Sequence, residues 1–166
     1  MPNGTVHGWR FWRVDPAAVN TRDAVLWSPY DGRTAWPQKH FRARCPVHPA
    51  HDPPASDCLC GVYAVPNVVD IRWQVRAIRF NAIPKSATPP FLVIGRVTLS
   101  HAVPHTDSAP GGPLYPEFRA AEATINGLYV FKDREHGPAK SQELQSLLSS
   151  AYDVPVSIGG TCVHGA

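Results

Sequence analysis

Apolar and polar residues alternate over short stretches in this chain more often than they recur at helical spacing, which predicts a strand-rich fold. Gly8-Trp9-Arg10-Phe11-Trp12-Arg13-Val14 sets aromatic against basic residues, with Trp12 out of step, and predicts a first strand that Asp15-Pro16 ends. Ala24–Ser28 predicts a second strand. Pro29-Tyr30-Asp31-Gly32 supplies turn chemistry, and Thr34-Ala35-Trp36-Pro37 completes a hairpin. Gly61–Val65 predicts a further short strand, and Phe91–Ser100 the strongest one, with Gly95 marking a bend or bulge. Phe118–Phe131 predicts another long strand, in which Asn126-Gly127 is either a turn or a bulge. Asp153–Ile158 supplies a last short strand, followed by a frayed glycine-rich tail.

Two segments depart from this pattern. Between Asn67 and Phe80 the residues Val68, Ile71, Val75 and Ile78 fall near helical spacing, with Asn67 as N-cap. Lys140–Tyr152 predicts a short helix capped by Ser141, with Leu144, Leu147 and Leu148 on one face. Ala82–Pro90 and Val103–Pro116 are proline-rich and predict loops.

Composition sharpens the picture. Eighteen prolines and twelve glycines in 166 residues favour short elements and frequent turns. The apolar fraction of 43% is enough for a core and speaks against general disorder. A net charge of +3 without a basic run permits nucleic-acid binding without demanding it. No apolar run reaches transmembrane length and the first residues lack a signal-like core, which predicts a cytoplasmic protein with no membrane partner. Clustered thiols in that compartment bind metal more often than they pair.

Such a cluster is present. Cys45-Pro-Val-His48-Pro-Ala-His51-Asp-Pro-Pro-Ala-Ser-Asp-Cys58-Leu-Cys60 packs three of the four cysteines and two of the eight histidines into sixteen residues of turn-forming sequence. A tetrahedral zinc takes four such ligands. Cys45, Cys58 and Cys60 supply three thiolates, and either His48 or His51 the fourth ligand. Cys58-x-Cys60 is tighter than the usual two-residue gap, and Gly61 relieves the crowding. A Cys3His set closes the metal shell, which marks a structural site; iron fits a thiolate-rich set as well. The competing readings are free thiols and catalytic metal. Cys162 lies far off near the tail and is read as a bystander.

Other chemistry is sparse. Trp9, Arg10, Trp12 and Arg13 offer a stacking platform for single-stranded nucleic acid, or simply one buried strand face opposed by solvated arginines. His101 and His105, with Asp107 and Glu117 nearby, form a polar cluster that Pro104 keeps from being helical, and Arg119 and Glu122 follow it. No nucleophile elbow, phosphate-binding glycine loop, dinucleotide fingerprint or His-Glu-x-x-His motif is present.

Gly8–Val14, Arg42-Ala-Arg-Cys45 and His51-to-Ala64 with its Cys-x-Cys-Gly-Val-Tyr-Ala run together resemble a group of small actinobacterial proteins without an assigned activity. Gly95-Arg96-Val97 and Arg119-Ala-Ala-Glu122 match later segments of that group, so the resemblance spans about two-thirds of the chain, and 109–116 departs from it. The resemblance implies His51, rather than His48, as fourth ligand. It brings no activity.

The expectation is therefore an α+β domain covering 1–166: a curved, mostly antiparallel sheet or small open barrel, one or two helices, and a zinc-clamped loop at 45–60 inserted between the N-terminal strands and the main sheet. Its function is that of a binding or adaptor module for a protein or nucleic acid. The alternative is a small enzyme or ligand-binding protein with a pocket near His101, His105, Arg119 and Glu122.

Overall fold

The computed structural model describes residues 4–29, 34–81, 89–105, 116–131 and 136–159, without the side chains of 73 and 76–81. The expected turn at Pro29–Gly32, the connection at Ala82–Pro90, most of the loop before Pro116, the tail and Cys162 lie wholly or largely outside those residues. The fold is α+β, with mostly antiparallel sheets not closed into a barrel.

The centre of the main sheet is β1 (Val6–Val14), paired antiparallel along its length with β6 (Phe91–Ser100), which in turn pairs with β9 (Glu122–Phe131). The beginning of the chain meets residues some ninety positions later, in the register Trp9↔Arg96. On the free side of β1, β2 (Leu26–Trp27) and β3 (Ala35–Trp36) form the expected hairpin. On the free side of β9 two short strands lie end to end. They are β4 (His40–Arg42), antiparallel, and β10 (Val156–Gly159), parallel. A second, three-stranded sheet has the order β5 (Val62–Ala64), β8 (Glu117–Ala120), β7 (Val103–His105).

Several boundaries differ from the sequence pattern. Phe118–Phe131 is not one strand: the chain leaves the small sheet at Ala120 and enters the main sheet at Glu122, while the carbonyl of Ala121 accepts from Ala43 N–H. Val103–His105, expected in a loop, is an edge strand, where the missing N–H of Pro104 costs no ladder bond. Asp15-Pro16 ends β1 but also starts a short helix, α1 (Ala17–Thr21), because Asp15 Oδ1 accepts from Ala17 N–H at 2.8 Å. The register shift opposite Arg96 and Val97 places the bulge at Asn126, resolving Asn126-Gly127 as a bulge. Gly95 serves close packing: a Cβ there would stand 2.8 Å from Leu128 Cδ2 and from the Trp12 ring.

Strand alternation sorts the main sheet into two faces. The inner face, with Trp12, Val14, Leu26, Trp36, Val93, Leu99, Ile125 and Val130, forms the larger core. The helix α3 (Gly137–Tyr152) closes it with Leu144, Leu148 and Tyr152. This helix starts three residues earlier than expected, after His136. Ser141 is not its cap but a buried residue whose Oγ donates to the Gly137 carbonyl. Trp36 stacks on Phe41 with ring centroids 4.4 Å apart and meets Trp12 edge-on at 5.1 Å. The outer face is covered in part by α2 (Val68–Asn81), whose Ile71 and Val75 pack on Phe11, Ile94 and Val65, while Val68 stays exposed. No helix among the described residues is long and apolar enough to cross a membrane.

Candidate metal centre

The Cys/His loop runs from β4 to β5 and holds little that can bury itself; Val47 and Leu59, its aliphatic side chains between ligands, are largely exposed. Polar contacts give it shape instead. The His51 N–H donates to the His48 carbonyl at 2.9 Å and the Cys58 N–H to the Ala55 carbonyl at 3.5 Å, one turn before each ligand. The Arg119 guanidinium donates to the Cys58 carbonyl and the Tyr63 hydroxyl to the Leu59 carbonyl. Both tie the ligand-bearing turn to the small sheet. Gly61 then enters β5 at φ +140°, where a Cβ would stand 2.6 Å from Arg119 Cγ. The crowding that Gly61 relieves is therefore mainly with Arg119 and the Ala120 carbonyl.

This folding brings one ligand atom from each of Cys45, His51, Cys58 and Cys60 within 4.8 Å of the others. The Sγ atoms of Cys45 and Cys58 are 3.6 Å apart. Two thiolates on a tetrahedral ion stand roughly 3.8 Å apart if each bond is about 2.3 Å, so the spacing suits a shared metal. His51 Nδ1 is buried without a hydrogen-bond partner, and its Nε2 lies 4.0 Å from Asp57 Oδ2. A buried ring nitrogen left without a partner costs about 1–3 kcal/mol, so an orphaned one on the histidine grouped with three thiols fits an ion. The four residues can hold a metal. His48 is exposed, with its ring 4.6 Å from that of His51, and contributes its backbone: its N–H donates to Cys45 Sγ at 3.2 Å.

The same contacts divide the thiols. Burial works against ionising Cys45, but the N–H groups of His48 and Val47 and the thiols of Cys58 and Cys60 outweigh it and bring Cys45 down to about 7. For Cys58 the Cys60 N–H favours the thiolate, but desolvation and the neighbouring Cys45 and Cys60 sulfurs prevail and push it up. The metal-free loop thus favours one thiolate and resists a second, as expected where negative charges crowd without a cation.

The other candidate residues separate. Arg10 and Trp12 point into the larger core: Trp12 is fully buried, and Arg10 is 7% exposed. The Arg10 guanidinium donates to the Tyr63 carbonyl at 2.7 Å and lies 5.1 Å from the centre of the Trp36 ring. The two are therefore core residues and not a surface platform. Trp9 and Arg13 lie on the outer face, half-buried. The proposed pocket also divides. Glu122 faces outward from the main sheet, 3.6 Å from His40 Nε2 and 3.8 Å from Arg42 Nε. His101 is exposed at φ 54° between β6 and β7. His105 pairs with Glu117, not Glu122: its Nδ1 is 2.7 Å from Glu117 Oε2, its ring meets Tyr63 edge-on at 5.2 Å, and its Nε2 is buried without a partner. Burial, the main effect on Tyr63, raises its pKa against the pull of Arg119. The sequence placed Glu117 in the same polar cluster as His105, but the direct pairing follows from the register of β7 against β8, and β7 reads as loop.

No protein-family model, curated protein or solved structure matches the chain.

Proposed function

We propose that the chain is a zinc-stabilised binding module, in which zinc held by Cys45, His51, Cys58 and Cys60 clamps the loop between β4 and β5. The observation that carries this reading is the convergence of four ligand atoms within 4.8 Å. Three thiolates and one imidazole are ligands that zinc takes, and they fill a tetrahedron, leaving no position for water or substrate. Nδ1 of His51, buried without a partner, is the ligand atom in this reading, and the Asp57 carboxylate lies 4.0 Å from the other ring nitrogen. The clamp joins the sheets: Arg119 and Tyr63 grip the ligand-bearing turn from the small sheet, while Ala43, two residues before Cys45, bonds to Ala121 at the junction of β8 and β9. Held this way, the module presents its open sheet face and loops to a macromolecular partner in the cytoplasm. Zinc content of chelator-free protein, with melting before and after metal removal, tests the clamp.

A second reading is favoured by one pair. Glu117 holds His105 Nδ1 at 2.7 Å beside the Tyr63 ring, a close carboxylate–imidazole pair of the kind that acid–base chemistry uses. A small-molecule site there would show as ligand-induced thermal stabilisation that His105→Gln abolishes. An unselective response in a broad ligand panel would remove this reading.

A further inference from the structure

The outer face of the main sheet gathers aromatic and cationic side chains that are far apart in sequence. Trp9 on β1 and Tyr129 on β9 approach with ring centroids 5.8 Å apart, tilted 41°. From β6, between them, Arg96 is exposed with its guanidinium carbon 5.9 Å from the centre of the Trp9 ring. Beyond this trio the face turns polar: Thr98 Oγ1 bonds His7 and the Asn126 amide, and His40 and Arg42 stand exposed on β4. Among the outward positions of β1, β4, β6 and β9 the single carboxylate is Glu122, already engaged by His40 and Arg42. Cations therefore outnumber acids on these strands.

We propose that this face binds single-stranded nucleic acid, resting on the reading of the chain as a binding module. The exposed parts of the half-buried Trp9 and Tyr129 rings offer a surface against which a base stacks, Arg96 neutralises a phosphate, and Thr98 and Asn126 offer hydrogen-bond groups to base edges. A duplex hides its base faces and gains nothing from the ring pair. An acidic peptide would use the arginines but leave the rings idle. The ligand class is thus fixed by rings and guanidinium side by side, and it lies on the sheet face opposite the buried Arg10 and Trp12.

The test is fluorescence-anisotropy titration of the full chain, its metal content and melting recorded, with a labelled twelve-nucleotide mixed-sequence RNA and its DNA counterpart. Arg96→Glu, Tyr129→Leu and the remote charge change Lys140→Glu are compared with wild type across a salt series. The expected result is binding that Arg96→Glu weakens by about tenfold or more with a shallower salt dependence. Tyr129→Leu weakens it roughly fivefold or more with the salt slope kept, as lost stacking requires. Lys140→Glu stays within about twofold of wild type, since a remote charge makes no phosphate contact. No binding at low salt, or equal loss from Arg96→Glu and Lys140→Glu, overturns the proposal. Capture of poly-glutamate but not of either oligonucleotide also overturns it, in favour of an acidic protein partner. Oligonucleotide binding by a chain found free of metal would sink the zinc clamp and leave this face standing.

Discussion

The Sγ atoms of Cys45 and Cys58 lie 3.6 Å apart although thirteen positions separate the residues in sequence. The intervening loop has almost no apolar surface to hold it closed, and its N–H groups, Arg119 and Tyr63 position the ligand turns. Repulsion between neighbouring thiolates opposes this closure, and a divalent ion removes the repulsion.

The two histidines of the loop should behave differently. His51→Ala removes a ligand and should abolish stoichiometric metal, with a lowered melting temperature. His48→Ala should retain one metal per chain, because only its backbone N–H reaches Cys45. Elemental analysis of both variants decides; metal lost from His48→Ala and kept by His51→Ala would reverse the assignment.

Metal binding should release protons and weaken in acid. Cys45 sits at about 7 and Cys58 is raised, so a zinc entering near pH 7.5 must displace at least the proton of Cys58. Lowering the pH from 7.5 to 6 also protonates Cys45, and affinity should fall by roughly tenfold or more, since each ligand must be deprotonated to bind. Competition titration against a metal-sensitive dye at the two pH values measures this. An affinity independent of pH would show that the thiols are not the ligands.

Gly61→Ala should disturb fold and site together. Its φ of +140° is costly for any residue with a Cβ, and that Cβ would strike the Arg119 side chain. A loss of about 1–3 kcal/mol is expected, with weakened metal binding because Arg119 holds the Cys58 carbonyl. Chemical denaturation of metal-loaded and metal-free protein measures both effects.

Tyr152 fastens the hairpin to α3: its hydroxyl accepts from Leu26 N–H at 2.8 Å and donates to the Trp36 carbonyl at 2.5 Å. Tyr152→Phe leaves both buried groups without this partner and should cost about 1–3 kcal/mol. Burial, against the Leu26 N–H, raises the Tyr152 pKa above 10.0. The folded state then holds that proton more tightly than the unfolded chain. Its stabilising contribution is complete below pH 10 and is lost as pH rises through the folded pKa. Stability in the alkaline range should therefore fall less steeply in Tyr152→Phe. Tyr63, raised mainly by burial, keeps part of the slope.

The Cys/His cluster was legible in the sequence because its residues are local: three cysteines and two histidines fall in one turn-rich loop. Spacing alone left His48 and His51 both open and the resemblance implied His51; the loop's path places the His51 ring, and not that of His48, among the sulfurs. Phe91–Ser100 was legible to the residue, since a short segment rich in β-branched and aliphatic residues behind a proline-rich connection favours a strand. Long-range pairing was not legible. Alternation alone cannot say that the Arg10–Trp12 face of β1 is the core side, because an arginine there looks solvated until the Tyr63 carbonyl and the Trp36 ring are seen to meet it. For the same reason Trp9 and Tyr129, a whole sheet apart in sequence, could not be joined. Pro104 reads as a breaker until β7 is known to be an edge.

Elemental analysis of protein purified under reducing conditions without chelator, with melting curves before and after metal removal, is the decisive test of the zinc clamp. One zinc per chain is expected, with a lower melting temperature on chelation and recovery on adding zinc. A metal-free chain whose melting neither chelator nor zinc shifts would contradict it, leaving the three thiols to another chemistry.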